Sequence, residues 1–171
     1  YMKTWLAGRI AWMDENITGE GGGGNNGGGN NSGGDTPTGD DITDENGTIL
    51  AEYDDSPDGE GVDKLIDNDE NTKYLTFHSS AWIEYRHPEA VVVNGYGITS
   101  ANDAPTRDPR NWEFLGWDEN ASSWVTLHTV SNEAEWPERF QRKTFAITNS
   151  TAYSRYRLAV SAINGDDRMQ M

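Results

Sequence analysis

The chain has 171 residues, no cysteine, and a formal net charge of −16 with an isoelectric point near 4.3. The absence of cysteine excludes a disulfide framework, a thiolate metal site and a cysteine nucleophile. The negative charge disfavours nucleic acid and anionic membranes, so it favours neutral partners or cations, or serves only solubility.

The first 17 residues carry the periodicity of an amphipathic helix. Met2, Trp5, Leu6, Ile10 and Met13 recur at spacings of three and four, which places them on one apolar stripe. Such a short helix is marginal by itself and needs a surface to pack on. No run of 18 apolar residues and no signal peptide is present in the sequence, so we expect no membrane insertion.

Residues 18–45 have the composition of a flexible linker. Positions 19–34 are almost entirely Gly and Asn, and the polar stretch that follows continues the pattern. The segment is not a phosphate-binding loop, because no strand precedes it and no Lys-Ser/Thr follows it. We therefore predict that a folded domain begins at about residue 46.

From residue 46 onward the pattern changes to short alternating strands between turn signals. Residues 118–123 read as a hairpin loop between two of these strands, and no long helical period appears. This pattern predicts a sandwich or a barrel. Trp82, Trp112 and Trp124 fall within strand patterns and are predicted to be core residues. The strands are predicted near 48–53, 82–86, 91–99, 112–117, 124–129, 144–148 and 156–161.

An ordered set of motifs across residues 46–171 resembles a known superfamily. The motifs are Gly59-Glu60-Gly61, 65–75 (LIDNDENTKYL), 82–85 (WIEY), 99–109 (TSANDAPTRDP), 111–116 (NWEFLG) and 153–158 (YSRYRL). Together they resemble coagulation factor V/VIII type C, or discoidin, domains, and in style the bacterial family-32-like carbohydrate-binding modules. The resemblance implies an all-β, galactose-binding-like jelly-roll β-sandwich that binds a polysaccharide or other glycan without catalysis.

A second resemblance covers only residues 1–17. Trp5-Leu6 with the run 9–17 (RIAWMDENI) is similar to the last helix of CotH-like kinase domains. It implies that an upstream domain of the same polypeptide precedes the linker. We therefore expect a larger protein of bacterial origin that is secreted or displayed at the cell surface.

The loop from Lys64 to Thr72 is a candidate calcium site. Its acidic and hydroxyl side chains supply the oxygen ligands that hard cations bind, although the spacing is not that of an EF-hand. The resemblance implies a structural calcium held by the Lys64 carbonyl, the Asp67 carboxylate, the Asp69 carbonyl and Thr72. The alternative is a solvated acidic turn. In the superfamily a further Glu follows the last strand, and the chain stops before that position.

Glycan contacts are expected from loops at one end of the sandwich, where an aromatic platform and hydrogen-bonding side chains can meet a sugar. Trp136 is the platform candidate because 133–138 reads as a loop, although its ring could instead pack on a neighbouring loop. Arg107 and Asp108 could form an internal ion pair rather than a binding site. The candidate residues are His78, Asn102, Asp103, Arg107, Arg110 and Trp136.

No motif in the sequence indicates catalysis. The histidines at 78, 87 and 128 are scattered, and neither an H-E-x-x-H pair nor a G-x-S-x-G elbow is present. We therefore predict a targeting or tethering module rather than an enzyme. A protein-binding or cell-surface adhesion module on the same fold, or a structural spacer, remains the alternative.

Overall fold

The computed structural model describes residues 41–133 and 136–171. The predicted N-terminal helix and the linker up to residue 40 lie outside the described residues. The packed domain begins earlier than the boundary predicted at 46. Ile42 is completely buried, and the Tyr85 hydroxyl donates a hydrogen bond to its carbonyl at 2.6 Å. Residues 41–45 therefore belong to the domain and not to the linker.

The described residues form nine strands and three short 3-10 turns. The turns are Ile42–Asp44, Val62–Leu65 and Pro105–Arg107. The strands are β1 (Thr48–Ala51), β2 (Leu75–Thr76), β3 (Ala81–Val91), β4 (Gly95–Thr99), β5 (Pro109–Asp118), β6 (Ser123–Val130), β7 (Arg142–Ala146), β8 (Tyr153–Ile163) and β9 (Met169–Gln170).

The strands form two layers, and every pairing is antiparallel. The larger sheet has the order β1-β3-β8-β5-β6, and the opposite layer contains the pairs β4-β7 and β2-β9. Pro88 lies in β3 where the pairing with β8 shifts between Arg86 and Val91. A proline has no N–H for the ladder, so it is tolerated at such an irregularity. The hairpin loop predicted between β5 and β6 is confirmed.

The core lies between the two layers and is rich in aromatic rings. Tyr96 of β4 stacks on Phe114 of β5 with ring centroids 4.4 Å apart, and Trp112 meets Phe145 edge-on at 5.3 Å. The Trp112 indole N–H donates to the Tyr96 hydroxyl at 2.7 Å. These contacts join the layers and give the buried Trp112 N–H its acceptor. The all-β sandwich is confirmed, and so is the core position of Trp112.

Trp82 and Trp124 are not core residues, contrary to the prediction. Both lie half-buried on the outer face of the larger sheet, where the Arg157 guanidinium stands 4.2 Å from each ring centroid. Neighbouring residues of a strand point to opposite faces, so Trp82 shares its face with Glu84 while Ile83 enters the core. Cation–π contacts with arginine therefore take the place of core packing for these rings.

Glu84 anchors this outer face. Its side chain is only 1% exposed, and it accepts hydrogen bonds from Arg86 Nε at 2.7 Å, Arg155 Nε at 2.9 Å and Arg157 Nη2 at 2.6 Å. Burial alone raises the pKa of Glu84, but the bonds from the three guanidinium groups outweigh burial and hold the pKa below its usual 4.5. The carboxylate thus fixes the arginines that support the tryptophans.

Candidate functional site

The loops that carry the predicted glycan residues all lie at one end of the sandwich. β1 and β8 end where β3 and β5 begin, since Ala81 pairs with Val160 and Pro109 with Ile163. Short antiparallel strands of matched length bring their connections to a shared end. We call this region the loop end. It comprises residues 52–60, 77–80, 100–108, 131–133, 136–141 and 164–168, together with Pro109 and Arg110 at the start of β5.

His78 is held in a small polar and aromatic cluster at the loop end. Its ring stacks on Tyr53 with centroids 3.5 Å apart, and its Nε2 lies 3.2 Å from Asp55 Oδ2. The neighbouring Phe77 is 52% exposed, the largest exposure of any large apolar side chain among the described residues. An exposed ring beside a fixed imidazole offers both an apolar surface and a hydrogen-bonding group.

Asn102 and Asp103 lie on the next loop and are both exposed. Asp103 Oδ1 accepts a hydrogen bond from Lys73 Nζ at 3.0 Å, and this contact lowers the pKa of the Asp103 carboxyl. Gln170 and Arg139 donate to the Asp103 carbonyl, which ties the loop to β9 and to the loop before β7. Asn102 and Lys73 also line a small pocket of about 230 Å³.

Arg107 and Asp108 are both paired, but not with each other. Arg107 Nε donates to Asp166 Oδ2 at 3.1 Å, and its side chain is 16% exposed. Asp108 is buried and accepts two hydrogen bonds from Arg139, at 3.0 and 2.5 Å. The loop is therefore held by ion pairs to other segments, and the predicted internal pair is wrong.

Arg110 and Trp136 differ sharply in exposure. Arg110 is exposed, and its Nη2 donates to Asn132 Oδ1 at 3.1 Å. Trp136 is only 5% exposed, and its indole N–H donates to the Pro109 carbonyl at 3.2 Å. The ring packs into the sandwich and presents no open face, so the expectation that Trp136 is the platform is wrong. Its packing alternative describes the structure.

The predicted residues thus gather at one end but do not form one cavity. His78 sits with Tyr53, Asn102 and Asp103 sit beside Lys73, and Arg110 sits beside Asn132. Sequence reasoning did not find Phe77. Its signal was a lone aromatic directly before His78, in the loop that precedes β3.

The loop from Lys64 to Thr72 brings oxygen ligands together. Thr72 Oγ1 lies 3.0 and 2.8 Å from the two Asp67 carboxylate oxygens and 2.9 Å from the Asp69 carbonyl. The Lys64 ammonium lies 3.7 Å from Asp67 Oδ2. Carboxylate, carbonyl and hydroxyl oxygens are the donors that calcium prefers, so three of the four expected ligands fit the ion.

Two features are absent from the part of the chain that the structure describes. No three histidine or acidic side chains converge in a metal-binding arrangement. No helix there has the length and apolar character needed to cross a membrane.

No protein-family model matches the sequence. A peptide-N(4)-(N-acetyl-beta-glucosaminyl)asparagine amidase from Arabidopsis thaliana is 30% identical over 134 residues, which cover 74% of this chain and 18% of that protein. The chain therefore spans less than a fifth of the length of this relative.

Solved structures show the fold. A family 32 carbohydrate-binding module of Streptococcus pneumoniae EndoD aligns with a TM-score of 0.62 at 13% identity, covering 75% of this chain and 92% of that one. A family 32 module from Clostridium perfringens in complex with galactose aligns with a TM-score of 0.59 at 15% identity, covering 75% of this chain and 90% of that one. An F5/8 type C domain from Bacteroides fragilis aligns with a TM-score of 0.60 at 16% identity, covering 73% of this chain and 86% of that one. The described residues therefore form a galactose-binding-like β-sandwich, the fold of F5/8 type C domains and family 32 carbohydrate-binding modules.

Proposed function

We propose that this domain is a non-catalytic glycan-binding module whose ligand site lies at the loop end. The observation that carries this proposal is the pairing of exposed Phe77 with His78, which Tyr53 and Asp55 hold in place. The C–H face of a sugar packs on an aromatic ring, while neighbouring polar groups bond its hydroxyls. A structural neighbour of the same fold was solved with galactose, which supports the same ligand class here.

The other loop-end residues have graded roles in this proposal. Asn102, Asp103 and Arg110 are exposed, so they are available to bond hydroxyl groups. Arg107 is largely covered and paired with Asp166, so we assign it a positioning role. Trp136 supports the loop from below through its bond to the Pro109 carbonyl.

Calcium is proposed as a structural ion at Asp67, Asp69 and Thr72. When bound, it would replace hydrogen bonds that now hold the loop together, including the one from Thr72 to Asp67. The loop leads directly into Tyr74, whose backbone bonds Met171 at 2.9 and 3.1 Å. An ion here would fix the segment that leads to Lys73, whose ammonium group donates to Asp103 of the loop end.

Two of the three histidines, His87 and His128, are held by contacts within the sandwich, which fits binding without catalysis. The imidazole of His87 is buried and lies 3.1 Å from Glu45 Oε2. His128 Nδ1 lies 2.8 Å from the buried Tyr96 hydroxyl, and burial lowers the pKa of His128. The region shared with the Arabidopsis amidase is 18% of that protein, and we propose that it is an accessory part rather than a catalytic one.

In its biological setting the module would tether a larger protein, secreted or at the cell surface, to a glycan. Linkage raises the effective concentration of the attached domain, so weak sugar binding suffices for tethering. The upstream domain proposed from residues 1–17 lies outside the described residues. Protein adhesion is the competing function.

A glycan array probed with the whole chain, in calcium and again in EDTA, tests the proposal. We expect binding to a defined glycan class, and a loss of affinity of about tenfold in Phe77→Ala, which corresponds to about 1.4 kcal/mol. Trp124→Ala is the control, because it also removes a large ring but lies on the outer face of the larger sheet, outside the loop end. A folded chain that binds no glycan would point to protein adhesion instead.

A further inference from the structure

A second concave surface lies on the outer face of the larger sheet, next to the loop end. This groove has a volume of about 570 Å³ and crosses four strands. The pairing of the strands places Trp82, Ala159, Glu113 and Thr129 in one row across it. Strands lie about 4.8 Å apart, so Trp82 and Glu113 face each other across roughly 10 Å with only the small Ala159 between them. That gap accommodates a sugar ring.

The aromatic wall of the groove is fixed in place before any ligand arrives. Arg157 stands 4.2 Å from the Trp82 ring centroid and donates to the buried Glu84 at 2.6 Å. The Trp82 carbonyl accepts a hydrogen bond from the Glu52 backbone N–H at 3.0 Å, and the Trp82 backbone N–H donates to Glu52 Oε2 at 3.1 Å. A rigid aromatic side chain loses little conformational entropy when a ligand stacks on it.

The polar lining has one sign of charge. Glu52 and Glu113 contribute carboxylates, and hydroxyl and amide groups come from side chains such as Asn111, Thr129 and Ser161. No lysine or arginine is among the lining residues; Arg157, which packs on the Trp82 ring, lies outside the lining, and its charge is paired with the buried Glu84. The chain as a whole carries a charge of −16. The groove therefore disfavours uronate, sulfate and phosphate groups and favours a cation presented on a polar, ring-shaped ligand.

We propose that this sheet-face groove is a second glycan site, selective for oligosaccharides of amino sugars with free, protonated amines. Trp82 stacks on the sugar ring, Glu113 pairs with its ammonium group, and the hydroxyl and amide groups bond its hydroxyls. The groove adjoins the loop end, because Tyr53, which stacks on His78, also lines it, whereas Phe77 and His78 do not. Phe77→Ala therefore distinguishes the two sites.

Titration calorimetry on the whole chain tests this site with three probes of equal length: a glucosamine hexamer, its fully N-acetylated counterpart and cellohexaose. We expect the glucosamine hexamer to bind at least tenfold more tightly than either neutral probe. Trp82→Ala should weaken it about tenfold through loss of the aromatic platform. Glu113→Gln should weaken it about two- to fivefold, as for an exposed ion pair, and raised salt should reduce that difference.

Two matched controls separate a site from general attraction. Glu119→Gln removes one carboxylate at the β5–β6 turn, so it changes the net charge as Glu113→Gln does, outside the groove. Trp124→Ala removes a ring that also contacts Arg157 but does not line the groove. Both should leave glucosamine binding within twofold of the unmodified chain. Glu113→Gln is exposed, so it tests the site even if Trp82→Ala fails to fold.

Three results would overturn the proposal. Equal losses in Glu119→Gln and Glu113→Gln would show that the hexamer responds only to net charge. Equal affinity for the N-acetylated probe or for cellohexaose would remove the selectivity for free amines. Loss of glucosamine binding in Phe77→Ala would place all binding at the loop end. Conversely, glucosamine binding that survives Phe77→Ala but not Trp82→Ala would support the groove even if the loop end binds nothing.

Discussion

Replacing the buried Glu84 with glutamine should lower the free energy of unfolding far more than the same change at an exposed carboxylate. The side chain is 1% exposed and accepts bonds from three arginines, whose side chains are 49%, 26% and 20% exposed. Removing one partner of a fully buried ion pair costs about 3 to 5 kcal/mol. Because these guanidinium groups can partly rehydrate, we expect a loss of about 2 to 4 kcal/mol for Glu84→Gln.

Urea unfolding measures this loss directly. With a denaturant slope of about 1.5 kcal/mol per molar, the midpoint should fall by about 1.3 to 2.7 M. Glu119→Gln carries the same change of charge at an exposed turn, and it should stay within about 0.5 kcal/mol of the unmodified chain. If Glu84→Gln and Glu119→Gln shift the midpoint equally, the idea that a buried carboxylate organises this face is refuted.

Acidification gives an independent check of the same reasoning. The folded-state pKa of Glu84 lies below its ordinary value of 4.5, so ionised Glu84 stabilises the folded state above that pH. This stabilisation is lost as the pH falls through the lower folded-state pKa. The stability gap between the unmodified chain and Glu84→Gln should therefore be constant near neutrality and narrow below about pH 4.5. A gap that widens in acid would contradict the assignment.

Three further outcomes are expected. Gly116→Ala should lower the free energy of unfolding by about 1 to 3 kcal/mol through overpacking, because a Cβ there would lie 2.4 Å from Tyr153 Cδ2. Urea unfolding measures this loss, and an unchanged midpoint would contradict the packing. Tyr96→Phe should cost about 1 to 3 kcal/mol, because it leaves the buried Trp112 N–H without its acceptor. Calcium at a hundredfold excess over its Kd should stabilise the folded chain by about 2.7 kcal/mol, measured by thermal melts. Asp67→Asn should abolish this stabilisation, and an equal stabilisation of the variant would place the ion elsewhere.

The strands could be predicted because the alternation of apolar and polar residues is local. The face of the sheet that each side chain occupies also depends on residues that are distant in sequence. In β3, Trp82 and Glu84 share one face and Ile83 and Tyr85 share the other. Trp82 was predicted to be a core residue because it lies in a strand pattern, but that pattern does not say which face of the strand enters the core. The arginines that make this position favourable come from β8, more than 70 positions away, so no local pattern revealed them.

The candidate site followed the same division between local and distant information. The proximity of Asp67, Asp69 and Thr72 could be predicted because the three residues lie within six consecutive positions. Calcium binding there stays a prediction. Trp136 was misassigned because a loop residue can fold back against the sandwich, here to the Pro109 carbonyl. Asp108 was paired with its neighbour in sequence, while its partner in the structure is Arg139. Contacts between separate loops depend on the completed fold.

The position of β8 in the larger sheet has a consequence for how the chain acquires its structure. β8 pairs with β3 on one side and β5 on the other, so the centre of the sheet joins positions such as 83 and 158. Domains dominated by such distant pairings fold slowly, in milliseconds to seconds. During synthesis, residues up to about 163 must therefore emerge from the ribosome before β8 can pair with β3 and β5. Until then one edge of β3 and one edge of β5 have unpaired backbone N–H and C=O groups that can pair with another chain. Nascent chains that stall earlier should therefore be sensitive to proteases.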